Sequence, residues 1–344
     1  MSAPPSEGPA SPVVSPHVVS PHVVSIVIPV YRGERHLPAL VDEIAGLVTG
    51  ATTAGGHRYR VAEVLLVHDC GPDGSDRVMR ELSEQHDWIR PIWLSRNFGQ
   101  HGATIAGMAS STSEWIATLD EDGQHNPAEI GNLLDAAMQQ GASLVYAAPT
   151  NPAPHHMARR VTSRAAKSVL TAVSGVDAGQ FHSFRLMLGE LGRSVAAYAG
   201  QGVYLDIALG WVSPKAVTAP VTLRDEGDRV SSYSARTLFS HFWRMILTSG
   251  TRGLRLVSIL GVVIGVAGVV FAAYIAIHRI TGGTVAPGWT SLMVVTLLCT
   301  GAILFSLGVV AEYIGVAVGM AMGRPLYLIT QDRASGPLGR RSHD

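Results

Sequence analysis

Two long apolar runs without a single charge restrict what this 344-residue chain can become more than any other feature. Residues 256–277 read LVSILGVVIGVAGVVFAAYIAI, and residues 291–311 read SLMVVTLLCTGAILFSLGVVA. A helix needs about 20 predominantly apolar residues to cross the hydrocarbon core of a bilayer, and each run meets that length. The alternative is two uncharged helices of this length buried in a soluble core. The linking stretch HRITGGTVAPGW is short and rich in Gly and Pro, so the runs are expected to form a hairpin. Arg244, Arg252 and Arg255 precede the first run, and Arg324, Arg333, Arg340 and Arg341 follow the second, whereas the link holds only His278 and Arg279. The bias of basic residues places both ends of the hairpin, and the larger N-terminal part, on the cytoplasmic side of a multi-pass membrane protein.

The rest of the composition excludes more than it selects. Lys+Arg and Asp+Glu are balanced at 26 each, so no global field points to nucleic acid. Cys70 and Cys299 are too far apart to suggest a disulfide framework or a CxxC pair. None of the histidines falls in an HExxH or zinc-finger spacing. Residues 12–25 repeat PVVS, PHVVS, PHVVS without the basic start and apolar core of a signal peptide, and read as a flexible arm.

Between that arm and residue 150 the pattern alternates. VVSIVIPVY, VAEVLLVHD, IRPIWLS, EWIATLD and ASLVYAAP are β-branched or apolar runs suited to strands buried on both faces. HLPALVDEIAGLV, a segment from about Arg77, GATIAGMASS and the segment after Asn126 have helical spacing, with Asn126 as cap, Pro127 at the first helical position and Glu129 at the capping-box position. Such alternation predicts a mostly parallel sheet with helices on both faces, and ligands at the carboxyl ends of its strands. The polar tips are Tyr31, Asp69, Arg96 and the stretch from Asp120 to Gln124. No GxGxxG follows the first strand and no GxxxxGK[ST] occurs, which removes the usual dinucleotide and P-loop readings. The tips offer carboxylate and amide oxygen instead, the donors that Mg²⁺ or Mn²⁺ take. If the segment is extended, Asp120, Asp122 and Gln124 share one side and Glu121 is a bystander on the other. Spacing by itself leaves a metal site and a solvated turn equally open.

Taken together, the segments SIVIPVYRGERHLPALV, EVLLVHDCGPDGSD, LSRNFGQHGATIAGM, LDEDGQHNPAEI, SGVDAGQFHSFRLM, TLRDEGDRVSSYSARTL and GVVAEYIGVAVGMAMGRPLYLI resemble, in order, the motifs of family 2 glycosyltransferases. The branch they resemble moves a sugar from a nucleotide sugar to a polyprenyl phosphate, as dolichol-phosphate mannose synthases and bacterial undecaprenyl-phosphate glucosyl- and aminoarabinosyl-transferases do. The resemblance implies an α/β, Rossmann-like GT-A sheet plus a C-terminal transmembrane helical hairpin. It implies that Pro29, Tyr31, Asp69, Arg96, Asp120, Asp122 and Arg224 contact the nucleotide sugar, and that Asp120, Asp122 and Gln124 hold Mg²⁺ or Mn²⁺. Asp122, Arg185 and Arg224 would be the catalytic set, with Arg185 near the acceptor phosphate and Arg224 near the donor diphosphate.

The resemblance also has gaps. His68 stands where the family usually has the first of two aspartates, Cys70-Gly71 replace Gly-Ser, His182 replaces a smaller residue, and the 227–232 loop is longer and lacks its usual Lys at Ser232. The expected organisation is a tail over 1–22, a cytoplasmic GT-A domain over 23–232, interfacial helices over 233–255, two spans over 256–312 and a cytoplasmic segment over 313–344. Partners implied are a nucleotide sugar, a polyprenyl phosphate (held by Arg185 or by Arg159, Arg160 and Arg164) and the lipid bilayer, with no nucleic acid; a homo-oligomer is left open. Two other readings are a membrane scaffold with a degenerate transferase domain, and a polysaccharide synthase. The latter's QxxRW motif is missing from SHFWRM.

Overall fold

The computed structural model describes residues 20–151, 180–200, 204–213, 215–224, 252–281, 288–323 and 325–335. The arm before residue 20, Arg159, Arg160 and Arg164, the 227–232 loop, the interfacial stretch up to residue 251 and most of the hairpin link lie outside the described residues.

Among the described residues nine strands form one sheet in the order β8-β6-β7-β5-β1-β3-β4-β9, with β2 beside β3. They are β1 (His22–Val30), β2 (Ala51–Thr52), β3 (Arg58–His68), β4 (Ile89–Leu94), β5 (Trp115–Thr118), β6 (Leu144–Pro149), β7 (Arg185–Leu188), β8 (Ala216–Val221) and β9 (Ile329–Thr330). The helices are α1 (Leu37–Val48), α2 (Ser75–Gln85), α3 (Gln100–Ser110), α4 (Ile130–Gln140), α5 (Gly189–Tyr198), α6 (Leu205–Val212), α7 (Arg252–Ile280) and α8 (Trp289–Ala321). The five expected strands and four expected helices of the first 150 residues are all present, and the sheet is mostly parallel with helices flanking it.

Central β1 explains the continuous apolar reading. Val24, Ile26, Val27 and Ile28 are fully buried because the strand lies between parallel β3 and β5 and is covered on both faces. Each such side chain contributes about 1.5–3 kcal/mol through burial. Two apolar layers result. One gathers Ile26, Ile28, Leu40, Ile44 and Leu133 under α1 and α4; the other gathers Val27, Leu65, Ile105 and Met108 under α3. Inside this apolar strand Ser25 donates to the buried Glu63 at 2.7 Å. Burial pushes the Glu63 carboxyl up, but hydrogen bonds from Ser25, Thr112 and Arg90 outweigh it and leave its pKa below the ordinary value.

Two strands absent from the sequence reading decide what reaches the strand tips. β7 enters antiparallel between β5 and β6, with Thr118 opposite Arg185. An antiparallel strand starts where its parallel neighbours end, so residues 182–184 are delivered to the tip of β5. β8 runs parallel to β6 and ends with it, which brings residues 222–224 to the same edge.

Helix starts differ slightly from expectation. α2 begins at Ser75 rather than Arg77. Asn126 does cap, accepting from the Ala128 N–H at 3.1 Å, but it caps a 3₁₀ turn over Pro127–Glu129 that precedes α4. Glu129 does not close a capping box: its carboxylate takes Asn132 and the Thr222 N–H instead.

α7 and α8 cover both apolar runs and touch each other. Large apolar side chains point outward along them, Val269 and Leu298 among them. Among the described residues one window is long and apolar enough to cross a membrane, Leu298–Gly319, with mean hydropathy 1.9 and 6% buried. The corresponding stretch in α7, Val257–Phe271, is shorter, so two spans were expected and one meets the criterion.

Candidate active site

The tips of β1, β3, β4 and β5 leave the sheet side by side, and the turns that follow them interlock. Gly71, just past β3, lies so close to the turn after β1 that a Cβ there would sit 1.6 Å from the Tyr31 carbonyl oxygen. Only glycine permits that approach. Its neighbour Cys70 has φ +52°, a left-handed conformation that a side chain makes costly.

Asp69 is 3% exposed, and its two carboxylate oxygens accept the N–H groups of Phe98 (2.7 Å) and Gly99 (2.8 Å). It therefore braces the loop after β4 from below. Burial raises its pKa, with the two N–H donors and Arg96 acting in the opposite sense. Arg96 itself is exposed; its guanidinium lies 4.1 Å from the centre of the Phe98 ring. Tyr31, just past β1, is 39% exposed, and Pro29 is half-buried in β1.

The segment after β5 is a turn rather than an extended strand, with Gly123 at φ +76°. Asp120 is half-buried and uses both oxygens: Oδ1 accepts from Gln100 at 2.6 Å, and Oδ2 accepts from the Ser183 hydroxyl that β7 delivers. Below it lies buried His125, whose Nδ1 accepts the Asp120 N–H at 3.1 Å and whose ring stacks on Phe184. Burial holds the imidazole pKa below its usual value, so it is a neutral support. Asp122 is half-buried, with Oδ1 on the Gln124 N–H at 3.1 Å.

Glu121 is not the bystander its alternation suggested. Its carboxylate accepts the N–H of Tyr31 at 2.8 Å and of Arg32 at 2.9 Å, tying the β5 turn to the β1 turn. A turn centred on Gly123 rotates it away from Asp122 and into the exposed amides after β1. The hint in the sequence was an acid one residue past a strand tip, opposite a YRG turn whose amides need acceptors.

The expected arginines behave differently from one another. Arg224 is brought to the site by its backbone: its N–H donates to the Gln124 carbonyl at 3.0 Å, while its exposed guanidinium pairs with Glu43 of α1 at 2.7 Å. Arg185 is 4% exposed and pairs with Asp206 of α6, which also accepts from the Tyr146 hydroxyl at 3.1 Å. A guanidinium committed inside the fold supports β7 and thereby Ser183, and it is not presented at the surface for an acceptor phosphate. His68, at the end of β3, is tilted against Trp93, and burial lowers its pKa.

Among the described residues no three His, Cys, Asp or Glu side chains converge into a protein-only metal cage. Mg²⁺ and Mn²⁺ are commonly held by one or two carboxylates with substrate phosphates and water completing the shell. Asp122 and Gln124 fit such a partial set. Asp120, engaged by Gln100 and Ser183, fits orienting the turn at least as well as direct ligation.

Residues 25–170 match the family model described as Glycosyl transferase family 2, which spans the sheet tips above. That segment therefore matches a family 2 glycosyltransferase domain, and the sheet it builds is GT-A-like. Among solved structures, glucosyl-3-phosphoglycerate synthase from Mycobacterium tuberculosis, crystallised with Mn²⁺, UDP and glucosyl-3-phosphoglycerate, is similar over 67% of this chain and 80% of its own, at 16% identity and TM-score 0.46. Mannosyl-3-phosphoglycerate synthase from Rubrobacter xylanophilus is similar over 68% and 74%, at 13% identity and TM-score 0.47. The S. aureus TarS 1–349 fragment bound to UDP-GlcNAc is similar over 66% of each chain, at 14% identity and TM-score 0.43, so this chain spans just under two thirds of that fragment.

Proposed function

We propose that this family 2 glycosyltransferase domain moves a sugar from a UDP- or GDP-linked donor to a polyprenyl phosphate at the cytoplasmic face of a membrane, with inversion at the anomeric carbon. The observation that carries the reading is a pair of features on one chain. An oxygen-rich turn holding Asp120, Asp122 and Gln124 is stitched to the β1 turn through Glu121 and to Arg224 through its backbone. The same chain carries helices α7 and α8 with apolar side chains turned outward.

The roles follow from charge. Departure of the nucleoside diphosphate builds negative charge on its oxygens, and a divalent cation at Asp122 and Gln124 would supply Lewis-acid stabilisation there. Asp120, fixed by Gln100, Ser183 and His125, holds the turn in register for the donor. Tyr31 and Arg96 border the nucleotide, with Asp69 and Glu121 positioning the loops that carry them. Arg224 clamps diphosphate after exchanging its exposed partner Glu43, a pair worth little in water. A phosphate monoester has a second pKa of about 6, so the acceptor is mostly a dianion at neutral pH and attacks without a general base. Arg185 acts from beneath as a positioning residue, and contact with the acceptor falls to arginines in the 159–164 stretch. Attack opposite the leaving group gives the inverted anomer.

On the membrane side, we read α7 and α8 as a hairpin anchoring the domain beside the lipid headgroups, with residues 233–255 as interfacial helices, 313–344 on the cytoplasmic side and 1–22 as a flexible tail. The test uses purified full-length protein in detergent or nanodiscs with radiolabelled nucleotide sugars and Mn²⁺. Label is expected to enter the organic phase only when polyprenyl phosphate is present, and Asp122→Ala should abolish it. Label transfer to a water-soluble acceptor instead would refute the lipid acceptor.

A further inference from the structure

The chain leaves the sheet after β8, passes through α7 and α8, and then returns to add β9 at the far edge, antiparallel to β4. A two-residue strand makes too few ladder bonds to hold an edge by itself, yet this one is fastened by side chains on both sides. Thr330 and Ile329 pair with Trp93 and Leu94, and the Ser95 N–H donates to the Leu328 carbonyl at 2.9 Å. Asp332 takes a two-pronged ion pair from Arg80 of α2, Nε to Oδ2 at 2.6 Å and Nη2 to Oδ1 at 2.9 Å. The same guanidinium also reaches Asp76 and lies 5.1 Å from the Trp93 ring centre. Arg333 donates to the Ser95 carbonyl at 2.9 Å. Ser95 is thus gripped at its N–H by Leu328 and at its carbonyl by Arg333.

What Ser95 introduces makes the grip consequential. The next residues are Arg96 and Asn97, then Phe98 and Gly99 on the Asp69 carboxylate, then Gln100 on Asp120. Phe98 of the loop and Leu326 and Tyr327 of the returning segment all pack against the same apolar layer. The 95–100 loop is therefore fixed at three points: by the C-terminal segment at its start, by Asp69 in the middle and by Asp120 at its end. Between the returning segment and the tips of β3 and β4 lies a cavity of about 290 Å³, bordered by His68, Cys70, Asp73, Trp93, Asp332 and Arg333. Loss of the grip would let the loop relax into that space. The Arg80–Asp332 pair is mostly shielded from water, and its geometry is bidentate, the arrangement in which an ion pair holds direction as well as charge. Hydrogen bonding to Arg80 keeps the Asp332 carboxyl below its ordinary pKa.

We infer that Asp332 and Arg333 are positioning residues for the donor site: the C-terminal return latches the 95–100 loop, braced from below by Asp69, so that Arg96 faces the nucleotide. This rests on the reading of the strand tips as the nucleotide-sugar site. It also ties the catalytic sheet to the end of α8 by a short segment.

The experiment measures Mn²⁺-dependent binding of UDP and of GDP by calorimetry, and steady-state transfer, in full-length wild type, Asp332→Ala, Arg333→Gln, Asp332→Glu, Arg77→Ala and Asp122→Ala. Losing a charge-assisted, direction-setting contact is expected to weaken nucleotide binding by about 5- to 20-fold in Asp332→Ala and Arg333→Gln. KM for the donor should rise in parallel while KM for polyprenyl phosphate stays within about twofold, a split that general loss of folded protein does not produce. Asp332→Glu should recover most of the affinity. Arg77→Ala, which removes exposed pairs to Glu81 on the same helix and to Glu34 after β1, should behave as wild type. Hydrogen exchange should report faster amides at 96–99 in Asp332→Ala even if the melting temperature also falls. Unchanged donor affinity in Asp332→Ala and Arg333→Gln, with Asp122→Ala abolishing binding, overturns the latch alone. Intact binding in Asp122→Ala overturns the underlying site reading, and the latch with it.

Discussion

Asp69→Asn isolates how much of the site depends on one buried carboxylate. In the native protein its two oxygens each receive a backbone N–H, at 2.7 and 2.8 Å, in a position only 3% exposed. A hydrogen bond to a charged group contributes about 1.5–3 kcal/mol. Asparagine keeps the shape and one acceptor oxygen but turns an NH₂ toward the second N–H. One bond is lost and two donors face each other, so the change should cost about 2–3 kcal/mol. Asp69→Ala loses both acceptors and should cost about 3–5 kcal/mol. The assay is hydrogen–deuterium exchange of the amides at Phe98 and Gly99, run beside urea unfolding of the full-length protein in detergent. Asp69→Asn should speed exchange at one of the two amides selectively and weaken nucleotide binding, because Arg96 rides on the same loop. If both amides keep wild-type protection and stability changes by less than about 0.5 kcal/mol, the bracing role is wrong.

Other expectations come from the same geometry. Asp206→Asn leaves Arg185 buried without a charge partner and should destabilise by about 3–5 kcal/mol, whereas replacing both residues with apolar ones should cost much less; thermal unfolding of the two variants beside wild type separates these outcomes. Glu63 has a depressed folded pKa, so its stabilisation is fully present above the ordinary glutamate value of about 4.3 and is lost as pH falls through the lower folded value. Glu63→Gln should flatten that acid limb in a pH series of unfolding free energies. Glu121→Ala removes two acceptors from the amides of Tyr31 and Arg32, partly replaced by water, and should cost about 1–2 kcal/mol and loosen donor binding several-fold; calorimetry with UDP and GDP reads it.

What could be read from the sequence follows a physical division. The strands β1, β3, β5 and β6 read as apolar runs because both faces are covered, and such runs announce themselves. The Asn126-Pro127 start was legible because its cap is local, within two residues. β7 was not: its four residues pass between β5 and β6 by a long-range pairing, and nothing in the sequence RLML distinguishes it from a helix turn. For the same reason Ser183 was missed, although it sits on Asp120, and Arg185, expected near the acceptor phosphate, is buried on its partner Asp206. β8 contains Pro220 and has alternate residues exposed, which hid it as well. Glu121 was misjudged because the alternation argument assumes an extended chain, and Gly123 turns it. The apolar helices could be read from composition, but how many spans they make depends on surroundings that composition does not include.

The central claim is that the turn at Asp122 and Gln124 holds a divalent cation on the donor's diphosphate. It is tested most directly by electron paramagnetic resonance of Mn²⁺ titrated into the protein with UDP or GDP, comparing wild type with Asp122→Ala. The account predicts a protein-bound Mn²⁺ signal that requires nucleotide, and at least about a tenfold loss of affinity in Asp122→Ala, the loss of one carboxylate ligand. Nucleotide binding that ignores Mn²⁺, or a bound signal unchanged by Asp122→Ala, would contradict it.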